Sequence, residues 1–126
     1  MERVELMVYK RQEGFRFVFD PPINGIYKVM KINNVEISSS YEVMSIIDIS
    51  PKGAKLEIDL DFLYSNTTIS IAFKLNKKGI HLTGQTVWKK GYAGRVFYGI
   101  KFNENSYSET ELLKEIKSYS KLMRKN

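Results

Sequence analysis

Ile47-Asp48-Ile49-Ser50-Pro51-Lys52-Gly53-Ala54-Lys55-Leu56 reads as the end of one strand, a tight turn and the start of the next. Ile47 and Ile49 alternate with Asp48 and Ser50. Successive side chains of a strand point to opposite faces, so the acid and the hydroxyl are expected to project together. Ser50, Pro51 and Gly53 fit the first, second and fourth positions of a type I turn, because proline presets φ at the second. The spacing is Asp-x-Ser-x-x-Gly. An ordinary hairpin can also carry it, so its meaning depends on what stands around it.

Outward from the turn, the chain reads as a series of short strands. Glu42 to Ile49 leads into it, and Leu56, Ile58 and Leu60 alternate with Glu57, Asp59 and Asp61 after it. Thr67–Leu75, Ile80–Trp88 and Arg95–Phe102 follow, joined by Asn76-Lys77-Lys78-Gly79, where Gly79 can take positive φ, and by the connection 89–94. Upstream, Phe15, Phe17 and Phe19 alternate in a strand that Pro21-Pro22 is expected to end. Asn24-Gly25 is read as a turn before Ile26–Ile32, with further turn signals at Asn33-Asn34 and Ser38-Ser39-Ser40. Residues 3–8 alternate weakly and make a further short strand; residues 9–16 form a polar arm with little apolar surface to hold it down. Strands at intervals of roughly 8–15 residues, with no helix between them, predict a β-sandwich or small barrel.

The end of the chain changes character. Ser108-Glu109-Thr110-Glu111 is a capping box, with Tyr107 placed to staple onto Leu112. Leu112, Leu113, Ile116, Tyr119, Leu122 and Met123 recur at helical spacing, so a helix over 108–125 is expected to dock one stripe on the barrel.

Composition bounds the function. The 126 residues suffice for one hydrophobic core, and 43% apolar with 13% aromatic content is globular. A formal net charge of +6 favours anionic partners without choosing among them. The absence of cysteine excludes disulfides and thiolate chemistry and suits a reducing cytosol. No apolar run reaches signal-peptide or membrane-span length, so a cytoplasmic protein without membrane insertion is expected. His81 is the single histidine, Asp59 and Asp61 lack a third ligand, and no glycine-rich phosphate loop precedes a lysine. No enzyme and no metal site are expected.

Four blocks now stand in order: Arg11 and Arg16 ahead of the first strand, Asp48-x-Ser50-x-x-Gly53, Val87-Trp88, and Tyr98-Gly99-Ile100-Lys101-Phe102, followed by a helix. Together they resemble the PilZ domain, a family of bacterial receptors for cyclic di-GMP, over about residues 10–125. The resemblance implies a six-stranded antiparallel β-barrel with a C-terminal helix, in a single domain spanning 1–126. Its parts would be the arm (1–16), the barrel (17–103) and the helix (108–125). It implies a cyclic di-GMP site made by Arg11, Arg16, Asp48, Ser50 and Gly53, with Lys52 as an extra phosphate contact. It also implies that the liganded form signals to a protein partner.

One departure affects the site. The family's two arginines have three residues between them; Arg11 and Arg16 have four, and an in-register reading puts Gln12 at the first position. Either the arm bulges and Arg11 serves, or one arginine is lost. Two alternatives therefore stand beside the receptor: a PilZ-like interaction module without nucleotide binding, and a nucleic-acid-binding barrel. The last is the weaker, because Phe15, Phe17, Phe19, Phe73 and Phe102 fall on core faces and leave few aromatics for base stacking.

Overall fold

A computed structural model describes residues 15–59 and 66–124. Among these residues seven strands precede one helix: β1 (Phe17–Ile32), β2 (Val35–Glu36), β3 (Glu42–Ile49), β4 (Gly53–Glu57), β5 (Thr67–Leu75), β6 (Lys78–Tyr92), β7 (Arg95–Phe102) and α1 (Glu109–Arg124). Every pairing is antiparallel, in the cyclic order β1–β3–β4–β7–β6–β5 and back to β1, so six strands close a barrel. The two-residue β2 folds onto the end of β1. The expected six-stranded barrel with a C-terminal helix is the fold observed. The arm with Arg11 and Gln12, the proposed strand at 3–8, Leu60, Asp61 and Lys125 lie outside the described residues.

The barrel interior is filled by alternate strand residues, among them Tyr27, Val29, Ile46, Leu56, Ile69, Ile71, Leu82, Tyr98 and Ile100, all buried. α1 adds Leu112 and Ile116 to the same core, and Tyr119 meets Phe17 and Phe19 edge-on at centroid distances of 6.0 and 5.5 Å. The N-cap forms as expected: Ser108 Oγ accepts the Glu111 N–H at 3.2 Å. The buried stripe is shorter than its sequence spacing suggested, since Leu122 and Met123 remain exposed.

Four local expectations are corrected. Pro21-Pro22 does not end a strand, nor does Asn24-Gly25 turn it; β1 runs through both. Pairing with β3 jumps from Val18↔Asp48 to Ile23↔Ile46, so both prolines lie in the unpaired excursion, where a missing N–H costs no ladder bond. Gly25 is a point of close approach: a Cβ there would lie 2.7 Å from both the Ala72 carbonyl oxygen and Met44 Cε. In the β5–β6 hairpin the turn residues are Asn76 and Lys77, both at positive φ, while Lys78 and Gly79 belong to β6. β6 continues past Trp88 to Tyr92 and turns at Ala93-Gly94, again both at positive φ, where the sequence suggested a longer connection.

Between Tyr27, which pairs with β3, and Lys31, which pairs with β2, β1 has no strand neighbour on that side. There the Ser39 hydroxyl takes the place of one, accepting from Val29 N–H at 3.0 Å and donating to Val29 C=O at 3.1 Å.

Among the described residues the Tyr27 hydroxyl is buried without a hydrogen-bond partner, and burial, reinforced by Glu42, pushes its pKa up. An unsatisfied buried hydroxyl is a liability that phenylalanine lacks. Tyr27→Phe is therefore expected to leave stability unchanged or raise it by about 1 kcal/mol; a clear loss in thermal or urea melts would show that the hydroxyl has a partner.

Candidate functional site

The turn after β3 is built around Ser50. Its side chain is buried, with Oγ accepting from Lys52 N–H and Gly53 N–H at 3.2 Å each, while Ser50 N–H donates to Gly53 C=O at 2.8 Å. In place of a bare type I turn, the hydroxyl gathers the two amides and fixes the loop. The Lys52 carbonyl accepts from Phe102 N–H at 2.9 Å, which ties the turn to the end of β7. Tyr107, packed on Phe102 at 5.5 Å, donates its hydroxyl to the Pro51 carbonyl at 2.5 Å and ties the turn to the start of α1. Lys52 adds an ion pair to Glu109 at 3.0 Å.

Asp48 reaches the surface through a β-bulge. Pairing slips between Ile46↔Leu56 and Asp48↔Lys55, so Ile46 and Ile49 are buried and Ile47 is the extra residue. Arg16, just ahead of β1, forms an ion pair with Asp48. A second bulge, between Thr86 and Trp88, brings Val87 and Trp88 outward together. The indole lies over Gly99: a Cβ on that residue would fall 2.1 Å from Trp88 Nε1.

These elements enclose a pocket of about 560 Å³. Arg16, Asp48, Ser50, Lys52 and Gly53 line it, so every expected site residue except Arg11, which lies outside the described residues, is brought to one place. Lys55, Val87, Trp88, Gly99 and Lys101 also line it, with Ala54 and Ile100, and were not singled out as site residues from sequence. Their signal was indirect: Val87, Trp88, Gly99 and Lys101 lay in two of the four quoted blocks, but Lys55 and Lys101 become neighbours only through strand register. Gly53 faces the pocket, yet its lack of a side chain answers to β7, since a Cβ would sit 2.3 Å from the Ile100 carbonyl oxygen. Four cations and one carboxylate line the cavity, an electrostatic bias toward an anionic guest.

Away from the pocket, His81 Nε2 bonds Ser70 Oγ at 2.5 Å on the outside of the barrel. Among the described residues no group of three potential metal ligands occurs, and no helix is long and apolar enough to cross a membrane.

Burial, with Glu109 and Glu104 adding to it, pushes the Tyr107 pKa up to about 12. The folded state thus favours the neutral phenol that donates to Pro51. This contribution is complete below the ordinary value near 10 and is lost as pH rises toward 12. Urea melts should show stability falling across that window, with a shallower fall for Tyr107→Phe; Tyr27 adds a slope of the same sign. Identical slopes for the two proteins would remove Tyr107 from the account.

The family described as PilZ domain matches residues 10–119 of the chain. Among solved structures, YcgR in complex with c-di-GMP from Escherichia coli superposes with a TM-score of 0.65 at 18% identity, covering 91% of this chain and 48% of that one. The PilZ domain with c-di-GMP of YcgR from Escherichia coli gives 0.64 at 16% identity, covering 92% of this chain and 96% of that one. The chain thus spans about half of the YcgR chain in the first structure and nearly all of its PilZ domain in the second. No curated protein matches it.

Proposed function

We propose that this chain, which belongs to the PilZ domain family, is a receptor that binds cyclic di-GMP in the pocket beside the Ser50–Gly53 turn and passes the signal to a protein partner. The observation that carries this is the convergence of Arg16, Asp48 and the turn on one cation-lined cavity. Cyclic di-GMP presents two phosphate anions and guanine edges bearing both donors and acceptors. The Arg16 guanidinium can grip a phosphate or the O6/N7 edge with two parallel bonds. Asp48 can accept from guanine N1–H and N2–H, and Trp88 presents an indole face to a purine. The ligand must draw Arg16 from Asp48, so binding exchanges one ion pair for contacts to the guest. Nothing in this chemistry asks for a bond to be made or broken, and the role is that of a binding module.

Calorimetric titration with cyclic di-GMP, beside GTP and cyclic di-AMP, tests the reading. The expected affinity is micromolar or tighter, about −8 kcal/mol. No heat at millimolar cyclic di-GMP would replace the receptor with the interaction-module reading. The arm carries a separate prediction. If it bulges so that Arg11 serves, Arg11→Ala weakens binding by about 1.5–3 kcal/mol while Gln12→Ala does little. An unchanged affinity for Arg11→Ala rejects the bulge, and Gln12→Arg should then tighten binding.

A further inference from the structure

The cyclic di-GMP reading leaves two lining cations without a role, and on that reading we propose that Lys55 and Lys101 form a seat for the ligand's second phosphate, separate from Arg16. The argument starts from strand register. Gly53 pairs with Lys101 and Lys55 with Gly99, so all four project to the same outer face of the β4–β7 ladder. The two lysines are diagonal neighbours, with Cβ atoms about 7–8 Å apart, close enough for two flexible ammonium groups to meet on one phosphate. Gly53 and Gly99 complete the face without side chains of their own, and the Trp88 indole covers Gly99.

Charge points the same way. Among the described residues the other lining cations have carboxylate partners, Arg16 with Asp48 and Lys52 with Glu109. Among the described residues no ion pair occupies Lys55 or Lys101. Lys55 stands directly across from Asp48 in register, yet Asp48 goes to Arg16 and the Lys55 ammonium lies 5.0 Å from the Phe97 ring centroid. Phe97 lies on the far side of Gly99 from Lys101, so the Lys55 ammonium swings back along β7 to meet Lys101 on a bound phosphate, which supplies the counter-charge that both lack. Asp48 on β3 and Lys101 on β7 are two strand spacings apart, about 10 Å, with Lys55 on β4 between them, so the two lysines carry the cationic lining away from the arginine toward β7. That arrangement suits a ligand with two separated phosphates better than one with a single anionic group.

The test is calorimetry with cyclic di-GMP at low and high salt on the wild type, Lys55→Met/Lys101→Met and Lys114→Met, each checked for an unchanged melting temperature. Lys114 is an exposed lysine of α1 outside the pocket and controls for net charge. The double variant is expected to bind about thirtyfold more weakly, with a shallower salt dependence, while Lys114→Met stays within twofold. Equal affinity in the double variant, or a matching loss in Lys114→Met, overturns the seat and leaves the receptor reading intact. If the wild type does not bind cyclic di-GMP, the receptor reading falls and the seat is judged with pyrophosphate alone, followed by NMR of the lysine side-chain methylenes. Saturable shifts of Lys55 and Lys101 with one midpoint uphold an anion seat, and their absence overturns it.

Discussion

Arg16→Ala is expected to lower the affinity for cyclic di-GMP about a hundredfold. A charge-assisted hydrogen bond contributes about 1.5–3 kcal/mol, and a guanidinium holding phosphate makes two in parallel. The substitution acts twice. It removes the fork, and it leaves the Asp48 carboxylate, whose side chain is only 14% exposed, without its cation beside an incoming dianion. Arg16→Lys keeps the charge but loses the planar fork, so its affinity should fall between those of Arg16→Ala and the wild type. Titration of the three proteins decides this. A loss below threefold for Arg16→Ala would mean that the arginine does not hold the ligand.

Gly53→Ala is expected to destabilise the fold by about 3 kcal/mol, the upper part of the range for forcing extra volume into a packed site. Its Cβ would lie 2.3 Å from the Ile100 carbonyl oxygen, and a backbone atom in a closed barrel has no rotamer through which to yield. Relief requires β4 and β7 to part at Gly53↔Lys101, next to the turn that Ser50 organises. Gly79→Ala is the control. A Cβ there meets nothing within 4 Å, and its melt should shift little. Chemical denaturation of both variants reads the difference, and a Gly53→Ala protein as stable as Gly79→Ala would show that the strands adjust freely.

Gly53 and Gly79 also illustrate what could be read from sequence. Alternation located most strands, and the ordered blocks located the family, because both signals are local and survive without knowledge of pairing. The Asp48–Gly53 turn and the helix cap were legible for the same reason. What failed depended on partners far along the chain. Pro21-Pro22 looked terminal because the excursion that harmlessly absorbs both prolines is a property of β1 against β3. Asn24-Gly25 looked like a turn, whereas Gly25 answers to Met44 and Ala72 on two other strands. Gly53 was read as a turn and ligand-site residue, while its nearest constraint is β7. Lys55 and Lys101, 46 positions apart in number and diagonal in space, could not be associated before β4 was known to pair with β7. Arg11 lies outside the described residues, so its place beside Arg16 rests on titration.

Ser39 bears on how the molecule behaves at high concentration. A strand whose N–H and C=O face outward is a template onto which another chain can build, and barrels escape that fate only as far as their ladders are complete. At Val29 the ladder skips a rung between β3 and β2, and the Ser39 hydroxyl occupies it from the side, both receiving and giving a hydrogen bond. One hydroxyl thus serves as a shield against self-association. Ser39→Ala would bare a donor and an acceptor beside the exposed Met30 and Ile37, the pairing of open backbone with apolar side chains from which aggregation starts.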